Sequence, residues 1–406
     1  MTDTTAAGEA VRVDRIGGRD RRLDGLRALA AIAVILTHVG DWTDSVTGPH
    51  ASWVQELNVG VDVFFVISAV LLYAPFVAAH LDGRAHPDLR TYTTRRLSRI
   101  YPAYWVALVI ILPLSPIFGL RGAWQWFSVP LLLHTYKVAG LASNAGLRQS
   151  WTLVIEISFY VFLPFYAMGV RRLARVTGVL RAEVAAAVAL FVAGPVFHLL
   201  STRESPVQLP TAFKVLPPTL GVFAAGMLLA IAKEAMARRS DRPRWWSAIS
   251  AWAFPWFVGA GIAYAALCTV VGIHPTTAFS ITWRQQFAQL LLQTLIGLCV
   301  VAPAVLVPAD GRSWSLRAIG SRPLAYVGML SYGIYLWHYA VIEWLVRRLG
   351  CNPSGLTSCP ASVHWSFVKV TLAALPLSIA AGALSWYLVE RPMIRLAHHA
   401  RRADYR

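Results

Sequence analysis

The chain has 406 residues, of which 56% are hydrophobic and 14% charged, and its mean hydropathy is +0.53. Soluble domains carry about 25% charged residues, so this composition excludes an ordinary soluble protein. A net charge of +17 would suit nucleic acid if it formed one face, but the basic residues fill the gaps between apolar stretches, which points to a membrane and to no nucleic-acid partner.

Residues 1–22 are polar and hold Arg12, Arg15, Arg19, Arg21 and Arg22; a disordered cytoplasmic segment is expected there. No short apolar core with a small-residue cleavage site precedes the first span, so a removable signal peptide is not expected. Apolar stretches near 20 residues mark candidate transmembrane helices. They fall at about 24–42, 58–79, 99–118, 150–170, 183–200, 214–233, 247–272, 286–307, 324–346 and 366–388. The stretch 124–136 is too short to cross and is expected to be interfacial or re-entrant. The fold class predicted is therefore an all-α integral membrane protein of about ten transmembrane helices. The membrane domain is expected over 23–396, with a short basic tail over 397–406.

Basic residues choose the orientation. Alternate segments beginning with the N-terminal one hold 26 Lys and Arg, and the opposite set holds 8. Both termini are thus predicted to be cytoplasmic, in a multi-pass protein of the inner or plasma membrane. Cys351 and Cys359 fall in a loop placed outside, where an oxidising compartment would permit a disulfide. Cys268 and Cys299 lie within spans and read as small buried hydrophobes.

Charged groups inside spans are costly and usually line functional cavities. In LDGLRALAAIAVILTH, Arg27 and His38 are eleven residues apart, which puts them within about 20° on one helix face and about 16 Å apart along it. Asp62, Glu156 and His338 sit at comparable depth to His38 on three other helices. Arg27, Arg96 and Arg99 gather at the inner end, where their planar forks suit phosphate. This separation is compatible with coenzyme A, its phosphates at the arginines and its thioester near His38.

The same residues resemble the bacterial acyltransferase-3 family of membrane O-acyltransferases over residues 22–396. The matching motifs are RLDGLRALAAIAVILTH with Arg27 and His38, NVGVDVFFVIS with Asp62, and RRLSRIYPAYW with Arg96 and Arg99. SWTLVIEISFYVFLP with Glu156, SYGIYLWH and LVERP follow. Where the family commonly has Ser-Gly after its FF, this chain has Ser68-Ala69, a change expected to alter local helix packing. No long C-terminal extension of the esterase-like kind is present, so transfer is expected within the membrane domain itself.

The resemblance implies transfer of an acyl group, typically acetyl, from cytoplasmic acyl-CoA to a hydroxyl of an envelope glycan, lipid-linked sugar or secondary metabolite. No permanently bound cofactor and no metal are expected; acyl-CoA is a co-substrate. His38 is the expected general base, because imidazole titrates near working pH, and a covalent acyl-histidine is the other route open to it. Asp62 or Glu156 is expected to orient its second nitrogen. Arg27, Arg96 and Arg99 are expected to hold the coenzyme A phosphates, with Tyr101 as a further candidate. The competing class is a multi-helix transporter or flippase without chemistry.

Overall fold

The structure is a computed structural model and describes residues 15–16, 19–43, 50–115, 120, 122–136, 146–203, 214–241, 243–271, 282–308, 313–348 and 367–404. The segment 1–14 and the Cys351–Cys359 pair lie outside the described residues. Within them the only strands are a two-residue ribbon, β1 (Arg15–Ile16) antiparallel to β2 (Arg19–Asp20). The rest is helix and connecting turns.

Twelve helices carry the argument. They are α1 (Arg21–Gly40), α2 (Gly60–Leu81), α3 (Leu89–Leu114), α4 (Trp151–Thr177), α5 (Val179–Arg203) and α6 (Leu216–Ala237). Next come α7 (Phe254–Ala266), α8 (Trp283–Leu306), α9 (Arg322–Met329), α10 (Ser331–Arg348), α11 (Phe367–Ser385) and α12 (Arg391–Asp404). Local chemistry fixes several ends. Asp20 accepts from the Arg22 amide and Asp88 from the Thr91 amide, while Thr282 and Gln285 form a reciprocal capping box. Gly178, at φ +85°, turns the chain between α4 and α5.

Nine helical stretches among the described residues are long and apolar enough to cross a membrane, and they coincide with nine of the ten expected spans. The tenth, 324–346, is two helices: α9 ends at Met329, and α10 restarts at Ser331. Helix α10 carries Glu343, Arg347 and Arg348, which lowers its apolarity. The stretch 124–136 forms only a seven-residue helix, Gly122–Ser128, and a short turn, His134–Tyr136.

Helix α6 lies between α2 and α5, α9 packs on α1, and α10 packs on α11. Small residues permit these approaches. A Cβ added at Gly226 would lie 2.4 Å from the Val66 carbonyl oxygen and 2.7 Å from the Ala69 methyl. Ala69 is fully buried. The extra methyl that this chain carries at position 69 is thus received by a glycine on the facing helix. Polar ties join helix ends: Arg22 to the Val307 carbonyl at 2.8 Å, and Asp82 to Arg238 at 2.6 Å.

Candidate active site

A cavity of about 90 Å³ runs between α1, α2, α3, α4 and α10. One water needs only about 10–15 Å³ by this measure, so the chamber holds several. Along α2 it reaches from Val61 to Leu72, about 16 Å of helix. It is polar at two levels, and a third polar group lies just beyond its far end.

At one end stand Arg27, Arg96 and Arg99. Arg27 is partly neutralised by Asp24 at 3.3 Å. Arg96 and Arg99 form no ion pair among the described residues, and Arg96 Nε is buried with no hydrogen-bond partner. Arg96 and Arg99, cations without an ion pair among the described residues, suit an anion entering between apolar helices.

In the middle lies Glu156. Its Oε1 accepts from Ser68 Oγ at 3.1 Å and from the Tyr160 hydroxyl one turn along α4. Ser331, Tyr332 and Tyr335 face the chamber from α10, because the break at Leu330 lets α10 start beside the arginines. Tyr332 donates to the Ile100 carbonyl at 2.6 Å, fixing α10 against α3.

At the far end is His38, one turn beyond the cavity-lining Val34 on the same face of α1. It does not line the cavity itself. Its Nδ1 lies 3.0 Å from Asp41 Oδ2, and Gln55 Nε2 donates to Asp41 Oδ1 at 2.9 Å. A carboxylate only accepts, so Nδ1 carries the proton, and in the neutral ring Nε2 is left with the lone pair. The His38 ring stacks on His338 at 5.3 Å and meets the edge of Tyr339 at 5.2 Å. Arg148 donates to the Tyr339 hydroxyl at 3.0 Å. His338 is fully buried and directs Nδ1 at the Tyr335 carbonyl, 2.8 Å away, so its Nε2 is also an acceptor and has no partner. Tyr335 borders both the chamber and His338, with 6.1 Å between ring centres.

The expected site residues therefore divide. Arg27, Arg96, Arg99 and Glu156 meet in one chamber. His38 adjoins it, but the carboxylate at its Nδ1 is Asp41, and neither Asp62 nor Glu156 reaches it. Glu156 is engaged by Ser68 and Tyr160, and Asp62 sits in the first turn of α2. Free amides at a helix N-terminus stabilise a carboxylate locally. Tyr101 points elsewhere: it donates to the Leu131 carbonyl at 3.2 Å on an exposed face. Asp41 escaped the sequence reading because it follows the last residue of α1; its signal was the H-x-x-D spacing, which brings i and i+3 together.

Residues 20–383 match the acyltransferase domain. The chain belongs to the acyltransferase-3 family. The chain is 26% identical to the peptidoglycan O-acetyltransferase OatA of Listeria monocytogenes, across 86% of this chain and 54% of OatA. It is also 26% identical to nodulation protein 10 of Rhizobium leguminosarum (93% of this chain, 94% of the relative) and to the acyltransferase MdmB of Streptomyces mycarofaciens (92% and 91%). The chain spans about half the length of OatA and of a putative Bacillus subtilis peptidoglycan O-acetyltransferase. No solved structure matches it. Nine apolar helices among the described residues and this family make it a multi-pass membrane protein, and the family does not favour the transporter alternative.

Proposed function

We propose that this acyltransferase moves an acetyl group from acetyl-CoA, bound from the cytoplasmic side, to a hydroxyl of an envelope glycan, a lipid-linked sugar or a secondary metabolite. The observation that carries the reading is the pair Arg96 and Arg99, without an ion pair among the described residues, in a polar chamber whose other end adjoins His38. Arginine forks bind phosphate with paired hydrogen bonds, and a donor anchored there would extend its pantetheine arm along the chamber. The positive-inside bias supports a cytoplasmic location for the arginine end and for both termini.

His38 Nε2 takes the proton of the acceptor hydroxyl as its oxygen attacks the thioester carbonyl. The carbon–sulfur bond breaks as the tetrahedral intermediate collapses, and the proton passes from Nε2–H to the departing thiolate. Asp41 holds Nδ1–H and stabilises the imidazolium formed between these steps. Tyr335 and His338 form the partition past which the thioester must reach. The names of the relatives favour acetyl as the group moved and peptidoglycan as one acceptor class.

The test uses membranes containing the protein, labelled acetyl-CoA, and a His38→Ala version at equal abundance. Label on glycan or lipid only with the unaltered protein supports the proposal. Equal labelling by both refutes the assigned role of His38, and no labelling by either, across donors and envelope acceptors, refutes the donor assignment.

A further inference from the structure

A second cavity, of about 270 Å³, opens where α2 and α4 end and α5 begins. It lies away from the chamber, and the proposed chemistry makes no use of it. His80 forms its floor; Arg84, Arg171 and Arg175 stand around it. Arg84 is matched by Asp82 at 2.5 Å. Arg171 and Arg175 form no ion pair among the described residues.

The carboxylate nearest the floor is unavailable to them. Glu183 of α5 is fully buried, accepts from the Tyr73 hydroxyl at 2.5 Å, and takes His80 Nδ1–H on its other oxygen. His80 Nε2 is occupied in turn by His86 Nε2 at 2.6 Å. Burial, His80 and then the charge of Arg171 push the His86 imidazole below its ordinary pKa, so Arg171 is felt at the rim. An anion would offset that charge.

The surroundings say what kind of anion. Beside the rim, α5 presents Leu180, Val184, Val188, Val192, Val196 and Leu200, all exposed, and a spacing of four makes them an oblique ridge that winds about halfway round the helix. The cationic hollow thus continues into an apolar ridge that rises about 30 Å along the helix. A soluble phosphate compound uses the first feature alone, whereas a phospholipid uses both. Basic hollows between transmembrane helices at the cytoplasmic face suit anionic head groups. We infer that this cavity binds the phosphate head group of an anionic phospholipid whose acyl chains lie along the exposed ridge of α5.

The experiment reconstitutes the full chain in phosphatidylcholine nanodiscs with increasing phosphatidylglycerol, and reads retained lipid by native mass spectrometry after detergent release. Inorganic pyrophosphate is the soluble competitor. The protein should retain one phosphatidylglycerol and no phosphatidylcholine. Arg171→Gln/Arg175→Gln should weaken retention about 30-fold, while Arg239→Gln/Arg244→Gln, the same charge loss away from the cavity, should leave it unchanged. Should the first pair fail to fold, Arg175→Gln alone should weaken retention about fivefold. Equal retention by the cavity variants and the unaltered protein overturns the inference. So does binding of pyrophosphate without phosphatidylglycerol, which would assign the cavity to a soluble phosphate compound.

Discussion

A histidine serves as a base only if one nitrogen is held and the other is left free, and the partner of Nδ1 decides which. Asp41 supplies that partner to His38, itself tied down by Gln55. Replacing Asp41 by Asn keeps an acceptor but loses the charge that stabilises the imidazolium. Asp41→Asn should therefore lower the acyl-transfer kcat about 10²-fold with little change in KM for acetyl-CoA, and His38→Ala should cost about 10³-fold; initial rates in membranes check both. At the other end of the chamber the expectation reverses. Arg99→Gln removes a charge-assisted contact worth about 1.5–3 kcal/mol, so KM for acetyl-CoA should rise at least about tenfold while kcat falls less. Arg99→Lys should recover only part of the loss, because a point charge lacks the fork. An unchanged KM in Arg99→Gln would remove Arg99 from the donor site. The arginines and His38 were legible in the sequence because a charge inside an apolar span is conspicuous. Asp41 was not, since an acid just past a helix end looks like any loop residue until the turn is built.

Helices were legible wherever an apolar run continued unbroken, and the failure at 324–346 is instructive. Hydropathy averages over a break, and the break at Leu330 has a local cause: α9 is pressed onto α1. A Cβ at Gly328 would lie 1.7 Å from the Asp24 carbonyl oxygen, so α9 meets α1 backbone to backbone just before Arg27. That seat sets the start of α10 and hence the positions of Ser331, Tyr332 and Tyr335. The packing of α6 on α2 follows the same rule, with Gly226 receiving Ala69. Gly226→Ala should destabilise the protein by about 1–3 kcal/mol through overpacking. At Gly261 an added Cβ meets nothing within 4 Å, so Gly261→Ala should be neutral or stabilising, since alanine is the better helix former. Thermal unfolding midpoints in one detergent compare the two. If Gly226→Ala melts no lower than Gly261→Ala, the close approach of α6 to α2 is wrong.

Across the whole molecule, charge and contacts tell one story from two directions. The segments that hold 26 of the counted Lys and Arg include the ends joined by Arg22 to Val307, by Asp82 to Arg238 and by His80 to Glu183. The opposite segments include Arg148 and Glu56, which join their ends to Tyr339 and to Gln289. A bundle whose helix ends sort this way has one basic face, and the positive-inside rule leads to the expectation that this face is cytoplasmic. The four cysteines turn that expectation into a measurement. Cys268 and Cys299 are buried free thiols, and removing them as Cys268→Ser/Cys299→Ser leaves Cys351 and Cys359 as the only sulfhydryls. On the side away from the basic face these two would meet an oxidising compartment and pair. In intact spheroplasts a membrane-impermeant maleimide should then label the chain only after treatment with an impermeant reductant. Labelling without reduction would mean that the loop is outside but unpaired. Labelling that appears only after the membrane is broken would put the loop in the cytoplasm, invert the bundle, and move the arginine end of the chamber away from the acyl-CoA pool.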